Sequence, residues 1–175
     1  VDQMENVGLT ILYIESLNDD FIRTINNFEM WGRITGATSA AQDLSTDFMD
    51  RSRAVSATLE NQPPGPSVLW DEWQLFAPGS DTLVGNVLDL LKLQNIAHDV
   101  SGYQQLSPEV VVARDPEFIF TFDPTFFTVN PAYSDVSAVR NGKVLSATNL
   151  LGIAGPRFVD GIEELAEQIY PDLFD

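Results

Sequence analysis

Residues 102–122, GYQQLSPEVVVARDPEFIFTF, join a glycine-led aromatic turn to a short capped helix and then to an apolar strand. Ser107 is placed to accept a hydrogen bond from a free backbone N–H of the first turn. Pro108 costs that turn nothing, because its missing N–H had no intrahelical partner, and Glu109 faces the positive end of the helix dipole. Asp115-Pro116 ends the helix, since the residue before a proline is pushed out of helical geometry. Glu117–Phe122 then reads as a short aromatic strand covered on both faces, as in parallel sheets. A capped helix feeding such a strand sets the class as α/β.

Outward from this segment the same alternation continues. Gln62–Pro66, QPPGP, is a stiff breaker, and Ser67–Asp71 follows it as a strand. After the loop WQLFAPGSD, Asp81 is expected to cap a helix with Val84, Val87, Leu88 and Leu91 on one face. Tyr133–Val139 has helical character and Lys143–Ala147 is a further strand. Gly155-Pro156-Arg157 opens a last helix with Phe158, Ile162, Leu165 and Ile169 facing one way, stopped by Pro171. Upstream, Ser39 and Gln42 have capping-box spacing for a helix that runs to about Glu60 with Leu44, Phe48, Val55 and Leu59 in one stripe. At ~1.5 Å per residue that helix is about 33 Å long, the width of a small domain. Before it, Val7–Ile14 reads as a buried strand and Asn18 as the cap of a helix carrying Phe21, Ile22, Ile25 and Phe28, interrupted at Gly36. The expectation is a Rossmann-like three-layer lobe with a mostly parallel central sheet, preceded by one long helix.

Composition narrows the function. With 175 residues, 44% hydrophobic and 10% aromatic, the chain can bury one real core. It has no cysteine, which removes thiolate nucleophiles, disulfides and cysteine-built metal sites. Acids outnumber bases 26 to 9, a formal charge of −17, and only Lys92 and Lys143 are lysines. Such a surface repels nucleic acid and anionic lipid, so neither is an expected partner. The surplus of short carboxylates, 16 of them aspartates, resembles the surface of a salt-adapted protein. No apolar run approaches the ~20 residues needed to span a bilayer.

The acidic pair Asp71-Glu72, flanked by Trp70 and Trp73, suggests glycosidase logic, yet adjacent strand residues point to opposite faces and cannot converge on one bond. No G-x-S-x-G elbow, P-loop or G-x-G-x-x-G is present. The single histidine, His98, lies beside Asp99 and reads as a surface hydrogen-bond partner.

Five pieces in order carry a resemblance: the long helix, FAPGSDTLVGNVLDLL (76–91), NIAHDVSGYQQLSPEVVVARDPEFIF (95–120), AVRNGKVL (138–145) and GPRFVDGIEELAEQIYPDLF (155–174). Together they resemble the substrate-binding proteins of vitamin B12 and ferric-siderophore ABC importers, with a halophilic archaeal cast given the acidity. The resemblance implies that residues 1–36 are the remnant of an N-terminal lobe, 37–61 the connecting helix and 67–175 the C-terminal α/β lobe. It implies capture of a metal chelate, cobalamin or a ferric siderophore, with no covalent chemistry and no resident cofactor. Delivery is to an ABC permease on the extracellular or periplasmic face, where the full-length protein is held by an anchor outside this chain. Carried over residue by residue, Phe76, Tyr103, Asn149, Leu151 and Ile153 fall on the ligand wall, Trp73 and Phe126 beside it, and Glu109 on the permease contact. Glu109 has an ordinary alternative, an acid stabilised by the helix dipole by about 0.3–1 kcal/mol. Arg157 is expected to pack near the start of its helix, although an anionic chelate could recruit it. Two other classes remain open on the residues themselves: an enzyme on a Rossmann-like domain, and an acidic adaptor lobe that binds protein.

Overall fold

The strand Ser67–Asp71 (β1) is the centre of the molecule, and its side chains alternate between two cores. The computed structural model describes residues 2–12 and 20–174. In chain order the elements are α1 (Asp2–Glu5), α2 (Phe21–Thr35), α3 (Thr38–Leu59), β1, β2 (Phe76–Pro78), α4 (Leu83–Leu90), β3 (Gln94–Asn95) and β4 (Tyr103–Gln105). Then follow α5 (Pro108–Arg114), β5 (Phe118–Thr121), α6 (Pro124–Thr128), α7 (Ser137–Arg140), β6 (Val144–Ser146) and α8 (Phe158–Ile169), with single 3-10 turns at Pro131–Tyr133 and Asn149–Gly152.

Four strands form a parallel sheet in the order β3-β1-β5-β6. Val68 and Trp70 of β1 and Phe120 of β5 face α3, α4 and α8 and share a core with Phe48, Leu59, Val84, Leu88, Phe158 and Ile162. Leu69 and Ile119 face the other way, among Ile96, Val111, Phe127, Tyr133 and Val136. The period of two along each strand thus builds the three layers of an α/β fold from the same few residues. Register sets Trp70 opposite Phe120, their rings 6.1 Å apart, and Asp71 opposite Thr121.

The long helix α3 is part of this structure. Phe48, Val55 and Leu59 are buried against the sheet layer, as their spacing predicts. Arg51, on the same helix, reaches α8: its Nη2 donates to Asp160 Oδ1 at 2.7 Å and its Nε to Glu163 Oε1 at 2.9 Å. These carboxylates raise the guanidinium's pKa against the opposing effect of partial burial.

Several local expectations are corrected. Leu9–Leu12 form no strand, and Val7, Leu9 and Leu12 are exposed; Tyr13, Ile14 and Asn18 lie outside the described residues. The cap of α2 is Asp20, whose carboxylate accepts from Arg23 N, and within that helix Ile22 is exposed while Thr24 is buried. The Ser39/Gln42 capping box does not form, because α3 already begins at Thr38 and its N-cap is Ala37. At α4 the cap is Thr82, which accepts from Gly85 N at 3.0 Å. Asp81 instead holds the neighbouring loop, accepting from Ser101 Oγ and Gly102 N, each at 2.7 Å. Ser107 does cap α5, and β6 and α8 lie where expected.

Candidate functional site

In a parallel sheet every strand points its carboxyl end at the same edge, so the loops that follow β1, β3, β5 and β6 gather there. The chain runs from β1 to β3 on one side and then crosses to β5 on the other, which places the switch point of the topology between the ends of β1 and β5. Ligand crevices of open α/β sheets form outside that point.

At the switch point the polypeptide makes a strained turn. Gln74 and Leu75 have φ of 46° and 72°, a region that side-chain-bearing residues seldom adopt. The turn is over-determined. The Asp71 carboxylate, buried at the end of β1, accepts from Leu75 N at 2.6 Å and from the Thr121 hydroxyl at 2.7 Å. Glu72 N donates to Phe76 O, Phe76 N to Trp73 O, and Leu106 N to Leu75 O. Burial pushes the Asp71 pKa up while its two hydrogen bonds hold it back, and burial likewise raises Glu72, whose carboxylate accepts from Trp70 Nε1 at 2.8 Å. The two adjacent acids therefore take different partners, as strand geometry requires.

The turn displays Trp73, 58% exposed, and Phe76, 39% exposed. Residues 76–78 pair antiparallel with residues 103–105, Pro78 opposite Tyr103, and the rings of Phe76 and Tyr103 stack at 5.9 Å with planes 24° apart. Tyr103 is half-buried, and burial, with Glu72 nearby, pushes its phenol pKa up to about 12, so the ring is neutral. This small β2–β4 sheet was not legible in the sequence, where residues 73–81 read as loop.

After β6 a second surface forms. Asn149, Leu150, Ile153, Pro156, Arg157 and Phe158 line a depression of about 280 Å³. Ile153 is 75% exposed and Asn149 is exposed, but Leu151 is only 2% exposed and its side chain belongs to the core, where Gly161 packs directly against it. Leu150, which sequence reasoning passed over, is half-buried and lines the depression from a 3-10 turn capped by Thr148. Phe126, after β5, is half-buried within a ring cluster with Phe127 and Tyr133. Phe76 and Tyr103, in the small β2–β4 sheet, and Asn149 and Ile153, after β6, thus all lie in segments that follow strands of the main sheet at its carboxyl edge, while Leu151 is buried in the core.

Glu109 is exposed in the first turn of α5, and hydrogen bonds from its own backbone N–H and from Ser107 lower its pKa, so it is charged at neutral pH. His98 is a local partner, its Nδ1 3.0 Å from Asn95 O, while Asp99 forms a two-pronged pair with Arg114, both distances 2.7 Å, that holds the Asp99 carboxyl down at about 2.

Residues 14–149 match the family described as "Periplasmic binding protein", and the chain belongs to that family. Among its relatives is an uncharacterized ABC transporter substrate-binding lipoprotein, YvrC, of Bacillus subtilis, 27% identical over 99% of this chain and 58% of its own length. A protein of Halobacterium salinarum named as cobalamin-binding is 26% identical over 97% of this chain and 50% of its own length. The solved structure of a periplasmic heme-binding protein from Pseudomonas aeruginosa superposes with a TM-score of 0.84 at 26% identity, covering 98% of this chain and 67% of that one. The chain spans about half the length of the curated relatives it matches. Among the described residues no helix is long and apolar enough to cross a membrane.

Proposed function

We propose that this chain is the ligand-capturing second lobe and connecting helix of an ABC importer's substrate-binding protein, which takes a metal chelate, cobalamin or a ferric siderophore. The observation that carries the reading is the exposed Phe76–Tyr103 stack at the carboxyl edge of the sheet, beside the turn that Asp71 holds. A large, partly apolar chelate is bound by aromatic and aliphatic walls with a few orienting polar groups. Phe76, Tyr103 and Ile153 provide the first and Asn149 the second. In this reading residues 1–36 belong to another lobe, residues 37–61 join the two, and residues 67–175 form the lobe described above. Leu151 is buried in the core of that lobe. Ligand is held by contact and released to the permease without chemical change, and Glu109 is the charge this lobe offers to cationic residues of the permease.

The names of the Halobacterium and Pseudomonas relatives support a tetrapyrrole-sized chelate as cargo. The lipoprotein among the relatives supports display on the outer face of the membrane, held by an anchor. The acidic surface fits a salt-rich environment. Calorimetric titration of the protein with aquocobalamin and with a ferric trihydroxamate tests the reading. Saturable binding of one, with the chelate recovered unchanged, is expected; absence of binding to both overturns it.

A further inference from the structure

Arg157 stands apart among the described cations of the lobe that begins at Ser67. From Ser67 onward the other cations have partners: Lys92 donates to the carbonyl oxygens of Glu60 and Gln62, Arg114 pairs with Asp99, Arg140 donates to Ser137 Oγ, and Lys143 lies over the Phe118 ring at 4.3 Å. Arg157 is exposed, its carbonyl accepts from Asp160 N at 3.1 Å, and its guanidinium has no hydrogen bond or ion pair among the described residues. In a chain with 26 acids this needs a cause, and α8 supplies one. The acid at the neighbourly i+3 position is Asp160, and Arg51 of α3 takes it, together with Glu163. The clasp that fastens α3 to α8 therefore engages the one carboxylate, Asp160, that stands within a helical turn of Arg157.

The surroundings of Arg157 are those of a binding surface. It is the one charged residue lining the 280 Å³ depression after β6, whose other walls are Leu150, Ile153, Pro156 and Phe158, with Asn149 the neutral polar group. Arg157 occupies the N-cap of α8 but makes no side-chain capping bond, so its guanidinium is not needed by the helix. A planar fork of N–H donors beside apolar walls matches a carboxylate carried on an apolar body. Elsewhere the −17 surface repels such a group, which concentrates the preference at this position.

We infer that Arg157 is a specificity-determining residue that binds a peripheral carboxylate of the captured chelate, so that the cargo is an anionic member of its class. This rests on the chelate-binding reading above. Two probe pairs separate the two: cyanocobalamin against its monocarboxylate, in which one propionamide is hydrolysed, and a neutral ferric trihydroxamate against the same chelate bearing one carboxylate. Each is titrated against the wild-type chain and Arg157→Gln, whose fold is checked by its melting curve.

In whichever pair binds, the wild type prefers the carboxylate by about tenfold, the scale of one charge-assisted hydrogen-bonded pair. Arg157→Gln abolishes that preference by weakening binding of the carboxylate member. Equal affinity for both members in the wild type, or a preference that survives in Arg157→Gln, overturns this inference and leaves the proposed function standing. Binding of none of the four overturns both.

Discussion

The carboxylate of Asp71 accepts a hydrogen bond from the hydroxyl of Thr121, 50 positions along the chain and directly across the β1–β5 ladder, at 2.7 Å. Its other oxygen accepts from Leu75 N, so one buried side chain ties the ends of two strands to the turn that displays Trp73 and Phe76.

Asp71→Ala leaves two buried donors without an acceptor and is expected to cost about 2–4 kcal/mol, read from urea unfolding. Asp71→Asn keeps the shape and costs less. The pH dependence has a definite sign. Burial raises the folded-state pKa of Asp71 above its unfolded value, so the folded form holds the proton more tightly. That contribution to stability is greatest at low pH and diminishes as pH rises through the folded pKa. The wild type therefore gains on Asp71→Asn between pH 7 and pH 4.5; a difference that shrinks on acidification would refute the assignment.

Arg51→Gln removes the clasp between α3 and α8. The partners are about one-third exposed, so the expected loss is only about 1 kcal/mol, or roughly 2–4 °C in Tm for a chain of this size. The loss is expected to halve or more in molar salt.

Gly85→Ala sets two effects against each other. Alanine favours the helix by about 1 kcal/mol, but a Cβ at Gly85 meets the backbone of Gly79 and Ser80, which has no room to yield. Overpacking wins, and net destabilisation of about 1–2 kcal/mol is expected in urea. Because Gly79 N donates to Gly102 O at 2.8 Å, the displacement also reaches Tyr103, and ligand affinity falls with it.

Tyr103→Phe keeps the stack on Phe76, whereas Tyr103→Ala removes it. A wall role predicts near-native chelate affinity for the first and a loss of about tenfold or more for the second, measured by calorimetry, since an aromatic pair contributes about 0.5–1.5 kcal/mol beyond its buried area. Equal affinity for all three forms would exclude Tyr103 from the wall.

A surface of charge −17 repels itself in dilute buffer. Screening shortens the reach of that repulsion from ~10 Å at 0.1 M salt to ~3 Å at 1 M. Tm is expected to rise by many degrees between 0.05 M and 2 M KCl in scanning calorimetry. A flat profile would sink the salt-adapted reading.

Much of the scaffold was legible because its signals are local. Ser107-Pro108 marks the start of α5, Gly155-Pro156 announces α8, and Phe118–Thr121 alternates between two apolar layers. The errors share a cause, competition for a partner that only the folded chain brings near. Asp81 has the chemistry of a helix cap, yet Thr82 takes that place while Asp81 reaches Ser101 and Gly102, about twenty positions on. Val7–Leu12 has the apolar content of a strand, but no ladder partner lies beside it among the described residues. Two-residue β3 and three-residue β2 and β4 are too short for any period to register.

Of the candidate site, the residue types and their loops were readable, since turns and caps fix where strands end. Their accessibility was not. Leu151 and Leu150 are the same residue type at adjacent positions, and only tertiary packing decides that Leu151 is buried in the core while Leu150 stays half-buried at the wall of the depression.

By itself the sequence determined the alternation of strand and helix, the position of the long helix, the acidic surface and the absence of thiol chemistry, all consequences of short-range stereochemistry and composition. Tertiary structure alone decided which side chains meet across the sheet edge. The Phe76–Tyr103 stack, the Asp71 bridge to Thr121 and the Arg51 clasp on α8 each join residues about 25 to more than 100 positions apart. Such contacts depend on the register of the parallel sheet and on the competition among many carboxylates for few cations. Neither is encoded in any single stretch of chain.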